Sequence, residues 1–400
     1  MPVTRTPHSV RPAITHVIDS LIVSGGAEKQ LLANLRAFDH SVIDHRVVLV
    51  YGTSQSWVAD LPTAIGVTVL FARGPVSRGA AARRLAEHLR KEPADLLHGT
   101  LPTASFATRI ASRLTRTPFV ESLVNISHEP IRMQDNPGVT AWKLRSHTVL
   151  DRLTMRAGVA FHAVSSTVAE SWSRVVGVPL GKIEVIPRGV DPSSVAFSSE
   201  QRKTIRDEVR REFAMDPSSP IVVSVGRHEP QKGHRYLLEA IAELVQGRPN
   251  IRALIVGRDG ASTPALRSLT AQLGLDQNVT FAGARRDVSR LLSASDVFAF
   301  PSLFEGNGGN AMIEAMQHGL PIVTTGAPPM TDLIPGLEFG RLVDRGDAQG
   351  IAAAVDELLS DRDLSSALGE SARERAFRMP TPSQVAMRYE DWYRSLIGFG

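Results

Sequence analysis

The sequence predicts an α/β protein made of two parallel sheets, each covered by helices. Short apolar runs alternate with helix-spaced segments in both halves, the pattern of strands joined by helical crossovers. A serine-rich, charged passage over residues 192–219 separates the two series and reads as an interdomain linker. Four hundred residues, 42% apolar and 22% charged, provide for two ordinary globular cores.

Taken in order, Ile14–Asp19 reads as the first strand, followed by a turn at Ser24-Gly-Gly26 and a helix over Ala27–Phe38, whose leucines recur at helical spacing. His45–Tyr51, Val67–Phe71, Asp95–His98, Pro118–Val124 and Val159–Val164 read as further strands, with an alanine-arginine helix at Gly79–Lys91. Lys182–Ile186 and the turn to Asp191 close this half. The second half runs through strands at Ile221–Gly226, Arg252–Gly257, Val279–Phe281 and Val297–Phe300, with helices at His234–Gln246, Thr263–Leu273 and Asp287–Ala294. Helical segments across Ile351–Phe377 and Ser383–Ile397 end the chain.

Composition removes several classes of function. There are no cysteines, so disulfides, thiolate metal sites and cysteine nucleophiles are excluded. No apolar run reaches the length of a membrane span. The first twelve residues lack the apolar core of a signal peptide, which makes a cytoplasmic location the expectation. Residues 1–200 carry a net +6 and residues 201–400 a net −2. A basic first half suits an anionic acceptor or the inner face of a membrane. Its arginines are scattered rather than interleaved with aromatics, so nucleic-acid binding is not expected.

The chemistry concentrates at strand ends of the second half. The stretch Phe300-Pro-Ser-Leu-Phe-Glu-Gly-Asn-Gly-Gly-Asn310 leads from an apolar strand into a helix that carries Glu314 among Ala311, Met312, Ile313, Ala315 and Met316. A carboxylate on so apolar a helix calls for donors from elsewhere. The loop Gly306, Asn307, Gly308, Gly309, Asn310 allows close backbone approach, and the helix start presents N–H groups suited to an anion. A tight turn with Glu314 paired to an arginine is the plainer alternative. Val222–Gly226 runs into Arg227 and Lys232, a planar fork and a point charge suited to a diphosphate. Gly257 and Gly283 end two more strands. Ligands of open α/β sheets bind beyond such ends.

Taken together, Val225-Gly-Arg-x4-Lys-Gly233, the Gly257 and Gly283 turns, and Phe300-Pro-Ser-x2-Glu-Gly with Glu314-Ala-Met-x2-Gly-x-Pro-Ile-Val323 resemble the retaining glycosyltransferases of family 4, of GT-B fold. Ser24-Gly-Gly-Ala-Glu28, Val164-Ser165 and Val185-Ile-Pro-x-Gly-Val-Asp191 extend the resemblance over nearly the whole chain. It implies two facing Rossmann-like domains with a cleft between them: residues 1–190 for the acceptor, joined by a crossing helix at 383–400, and residues 191–382 for a nucleotide-sugar donor. It implies transfer of a hexosyl-type sugar with retention and without a metal or other cofactor, from a UDP-sugar ahead of a GDP-sugar, to a small-molecule or lipid-linked acceptor. Arg227 and Lys232 would hold the departing diphosphate, Glu314 the ribose, and Glu305 with Gly306–Asn310 the sugar and its phosphate. Gly25, Gly26, Gly226, Gly257 and Arg285 would complete the donor site.

The chain departs from the family pattern in two places. Its two glutamates enclose eight residues where the family usually has seven, so the sugar-facing loop carries an insertion. Asn125 stands where many members have a histidine. His98 is then the candidate catalytic histidine, and Asn125 and His128 candidate acceptor contacts, although a lone histidine is more often structural. Asp361-Arg-Asp363 imitates a metal-binding Asp-x-Asp but lies between polar helical segments, and Asn125-Ile-Ser and Asn278-Val-Thr imitate glycosylation acceptors. Two rival readings share the fold. A nucleotide-sugar epimerase would need further acid/base residues near the sugar, and a non-catalytic GT-B partner subunit would have no need of Arg227, Lys232 and Glu314 together.

Overall fold

The structure is a computed structural model that describes residues 11–21, 26–52, 61–72, 76–133, 138–191, 197–306 and 309–398. The chain divides into two compact units: residues 1–128, 145–189 and 380–400 form the first, residues 129–144 and 190–379 the second.

The first unit contains β1 (Ala13–Ile18), α1 (Gly26–Ala37), β2 (Asp44–Tyr51), β3 (Gly66–Phe71), α2 (Arg78–Lys91), β4 (Leu96–Thr100) and α3 (Pro102–Thr115). It continues with β5 (Phe119–Leu123), α4 (Ala141–Thr154), β6 (Ala160–Ala163), α5 (Ser166–Val176) and β7 (Ile183–Val185), the first turn of α4 grouping with the second unit. Its seven strands are parallel, in the order β3-β2-β1-β4-β5-β6-β7. Such a sheet is buried on both faces, so its strands are apolar runs rather than alternating ones. β1 is buried at every position.

The second unit opens with α6 (Ser199–Glu212), β8 (Ile221–Val225), α7 (His234–Leu244), β9 (Arg252–Val256), α8 (Thr263–Gln272), β10 (Val279–Gly283) and α9 (Val288–Ala294). β11 (Val297–Phe300), α10 (Asn310–Gln317), β12 (Ile322–Thr325), α11 (Met330–Leu333), β13 (Arg341–Val343), α12 (Ala348–Ser360) and α13 (Arg362–Phe377) follow. The strands are parallel, in the order β10-β9-β8-β11-β12-β13, with an apolar layer on each face. The last helix, α14 (Pro382–Ile397), belongs to the first unit. Thr381 caps it in a capping box with Gln384, and its Val385, Ala386, Tyr389 and Tyr393 pack against Leu31, Leu32 and Leu35 of α1.

Helix α3 begins at Pro102, where proline suits the first helical turn. Helices α4 and α5 were not foreseen. Asp361 caps α13 by accepting from Leu364 N at 2.9 Å, which accounts for the Asp-x-Asp at that place. Asn278 is buried and donates to the carbonyls of Pro249 and Ile251, which accounts for the second glycosylation-like triplet.

Candidate functional site

In the second unit the chain lays down β8, β9 and β10 in one direction, then returns to place β11 on the other side of β8. The order reverses between β8 and β11, and a ligand crevice forms beyond the carboxyl ends at such a point. The segment after β8 carries Gly226, Arg227 and Lys232, and the segment after β11 runs from Pro301 to Gly306.

Glycine is what lets these segments approach. A Cβ on Gly257 would stand 1.9 Å from the Gly226 carbonyl oxygen, and one on Gly233, at φ +65°, 2.0 Å from that of Pro301. No side chain fits at either place. Gly309, at φ +86°, passes over the Phe300 ring, where a Cβ would meet a ring carbon at 2.3 Å. It begins α10 without a side-chain cap. Two further bonds tie the β8 and β11 segments: Leu303 N donates to Gln231 O at 2.8 Å, and Gln231 Nε2 to Phe304 O at 3.3 Å.

Within this frame Lys232 lays its stem across Gly226 and donates from Nζ to Glu305 Oε1 at 2.5 Å. Ser302 Oγ donates to the same oxygen at 2.7 Å, and the ammonium stands 5.2 Å from the Phe300 ring centroid. Glu305 is buried, so a charge-assisted bond in a partly desolvated setting fixes both residues. Arg227 is more open, with 44% of its side chain exposed and Glu229 Oε1 at 3.7 Å. Glu314 is half-buried on α10. Four of the expected donor residues thus stand on three segments at one sheet edge, together with Gly226, Gly257, Gly306, Gly309 and Asn310. Gly25, Asn307 and Gly308 lie outside the described residues, and Gly26 opens α1 in the first unit.

Arg285 differs from expectation. It donates to Asp287 at 2.8 Å from both Nε and Nη2 and pairs with Glu212 at 2.8 Å. These bonds, Asp287 first, hold its pKa above the usual arginine value and commit the guanidinium to joining α6 to α9. Sequence reasoning also missed His228, fully buried directly after the Gly-Arg pair. Its Nδ1 pairs with Thr263 Oγ1 at 3.0 Å and its carbonyl accepts from Ser262 N, pinning the β8 segment to the start of α8.

His98 is likewise a structural residue. It lies mid-strand on β4, directly beside His16 of β1, and is buried. Its Nδ1 bonds Tyr393 Oη at 2.6 Å and its Nε2 bonds Ser122 Oγ at 2.7 Å. Ser122 continues to His162 Nδ1 at 2.9 Å, His162 Nε2 meets Tyr389 Oη at 2.9 Å, and His16 Nε2 meets His45 Nδ1 at 3.0 Å. Burial, then the neighbouring histidines His16 and His162, pushes His98 well below the ordinary value. His16 falls to about 3, His45 to about 2 and His162 to about 4, burial being the first cause in each. The ring nitrogens of His98 are spent on Tyr393 of α14 and Ser122 of β5.

His128 is buried too. Its Nε2 stands 3.0 Å from Asp151 Oδ2, its Nδ1 3.0 Å from Thr148 Oγ1, and its ring meets Trp172 edge-on at 4.7 Å. Asp151 in turn bonds Arg109, which grips Glu121 in a bidentate pair at 2.6 and 2.7 Å. Burial favours the protonated form of Asp151, but the bonds to His128 and Arg109 hold its pKa below the usual range. This chain anchors the turn after β5 to α4. Asn125 in that turn stays exposed, its carbonyl held by Trp172 Nε1 at 2.8 Å.

The comparisons with known proteins agree with this architecture. The family described as "Glycosyltransferase Family 4" matches residues 24–194, and "Glycosyl transferases group 1" matches residues 205–375. The lipopolysaccharide core biosynthesis glycosyltransferase LpsE of Rhizobium meliloti (strain 1021) is 35% identical over 178 residues, 44% of this chain and 50% of that protein. The 2-deoxystreptamine glucosyltransferase of Streptomyces kanamyceticus is 26% identical over 79% of this chain and 76% of its own length. With that exception, the chain spans about half the length of the first curated relatives it matches. The crystal structure of Anabaena HepE in complex with UDP and glucose superposes with a TM-score of 0.79 at 22% identity, covering 96% of this chain and 99% of that one. One glycosyltransferase family model matches each half, which supports a family 4-type glycosyltransferase, and the two Rossmann-like domains have the GT-B fold.

Proposed function

We propose that the protein transfers a hexosyl-type sugar from a nucleoside-diphosphate donor to an acceptor hydroxyl, with retention at the anomeric carbon and without a metal. The observation that carries this is the convergence of Arg227, Lys232, Glu305 and Glu314 on the β8–β11 switch point, among glycines that leave no room for a side chain. Arg227 and Lys232 would meet the diphosphate, Glu314 the ribose diol, and Glu305 with the Gly306–Asn310 backbone the sugar.

Charge grows on the departing diphosphate as the glycosidic bond breaks, and cations fixed beforehand lower that barrier without reorganising. Lys232 is held in advance by Glu305 and by the stem contact across Gly226. An incoming diphosphate would draw the ammonium away from the carboxylate, leaving Glu305 to accept from sugar hydroxyls. The UDP-bound state of HepE supports a uridine base over guanosine. Exposed Asn125, beyond the end of β5, would face the acceptor.

Calorimetric titration with UDP, GDP, ADP and dTDP, on wild type and on Glu314→Ala, tests the reading. The expected result is one nucleotide, UDP, that binds clearly and loses most of its affinity in the variant. Binding of none, or binding indifferent to Glu314, would refute it. Turnover of the matching donor should persist in excess chelator.

A further inference from the structure

His228 lies fully buried directly after Arg227, and only one of its ring nitrogens is used. Nδ1 stands 3.0 Å from Thr263 Oγ1, whereas Nε2 has no hydrogen-bond partner among the described residues. The ring meets Phe281 edge-on at 5.5 Å and His234 at 5.8 Å. Burial, against the opposing pull of Asp259, holds its pKa below the ordinary value, so the ring is neutral near neutral pH. A buried nitrogen without a partner costs stability, and an apolar side chain would fill such a place without that cost. What a histidine adds here is the Nδ1 bond.

That bond joins the segment after β8 to the segment after β9. Thr263 Oγ1 also accepts from Gly260 N at 2.9 Å, so one hydroxyl holds both the β9 turn and the His228 ring. The main chain repeats the connection: His228 N donates to Arg258 O at 3.2 Å, and Ser262 N to His228 O at 2.8 Å. The fit is close, since a Cβ on Gly260 would stand 2.6 Å from His228 O and 2.8 Å from Glu229 Oε1. Arg227 itself is exposed, with Glu229 Oε1 at 3.7 Å and no side-chain hydrogen bond among the described residues. Its aim is therefore set by the backbone from which it springs.

We propose that His228 is a positioning residue for donor binding: through Thr263 it fixes the backbone that carries Arg227, and so directs the guanidinium at the donor diphosphate. This rests on the donor-site reading given above. A long cation loses conformational freedom when it engages a phosphate, and a fixed backbone reduces that loss. His228 touches no part of the nucleotide, so its removal should weaken what Arg227 contributes and leave the remaining contacts alone.

The test is calorimetric titration with UDP and UMP on the full chain, in wild type, Arg227→Ala, His228→Leu, His228→Asn and Thr263→Val. The two ligands differ by the β-phosphate, so the ratio of their affinities isolates the diphosphate contacts. Wild type should bind UDP more tightly than UMP, and Arg227→Ala should lower the ratio about tenfold or more. His228→Leu and Thr263→Val should each lower it about three- to tenfold while UMP affinity stays near wild type. His228→Asn, whose amide reaches the place of Nδ1, should recover most of the ratio. The double variant His228→Leu/Thr263→Val should lose no more than either single one. Thr263→Val is nearly isosteric and serves alone if His228→Leu does not fold. A wild-type ratio in Thr263→Val, or UDP and UMP weakened equally, would overturn the role of His228, since a merely structural residue lowers stability and leaves the ratio alone. A ratio near one in wild type, or one indifferent to Arg227, would instead overturn the donor site itself and the inference with it.

Discussion

The two units place their polar residues in opposite ways on the same parallel-sheet plan. In the first unit His16, His45, His98 and His162 sit mid-strand, buried, on the face covered by α14. In the second unit Arg227, Lys232 and Glu305 sit just past the ends of strands, where glycines hold the backbone close. A side chain mid-strand in a doubly covered sheet meets other elements, whereas one beyond a strand end meets whatever enters the crevice. Position along the strand therefore separates the two roles better than residue type does.

Acid should break the comparison most visibly. Folded His16, His45 and His162 hold pKa values of about 3, 2 and 4 against 6.5 unfolded, so the unfolded chain takes up protons first as pH falls. Their stabilisation is complete above pH 6.5 and is lost as pH drops through 6.5 toward 4, at about 4 kcal/mol per pH unit for the three below roughly pH 5.5. The second unit has His234 and His318, at about 3 and 4, and a shallower slope follows. Trp172 and Trp392 lie in the first unit, and Trp142 of the second is already 76% exposed, so the tryptophan fluorescence should change at a higher pH than the helical circular dichroism of the whole chain. Coincident transitions would contradict the difference.

Next in size is Lys232→Ala, expected to lower turnover by about 10²–10³, as removal of a preorganised donor does, and to lower thermal stability as well, because Glu305 is left buried without its cation. Glu314→Ala should weaken nucleotide binding by about 2–3 kcal/mol, read by calorimetry. His98→Leu sharpens the contrast from the other side. It should cost about 1–3 kcal/mol in denaturant unfolding, by orphaning the Tyr393 hydroxyl and leaving Ser122 only its bond to His162, while turnover per folded molecule stays unchanged. A collapse of turnover in a folded His98→Leu protein would restore a catalytic role to that histidine. The smallest effect belongs to Glu305→Gln, expected to tighten nucleoside-diphosphate binding about three- to tenfold by freeing Lys232, while sugar transfer slows.

Much of the second unit was legible in the sequence. A buried parallel strand is an apolar run, and the glycines that end such runs stand where two backbones touch, so Gly226, Gly257 and Gly309 announced the crevice. The carboxylate at position 314 stood out against the apolar residues around it. The histidine row was not legible, because His16, His98 and His162 become neighbours only through strand register across the sheet. Nothing near Arg285 in the sequence showed that Glu212, seventy-three residues earlier, would claim it. The polar, weakly patterned helix α4 escaped for the opposite reason: most of its surface faces outward, which erases the periodicity that marks a helix.

The seating of α14 has a consequence for how the chain is made. The first core lacks Tyr389 and Tyr393 until α14 has been made, after the whole second unit of roughly 190 residues has been synthesised. At ordinary elongation rates that interval is about 10–40 s. During it the apolar face of α1 and the histidine-lined face of the sheet lack the helix that covers them. Of the two units, the one begun first is therefore the last to finish folding.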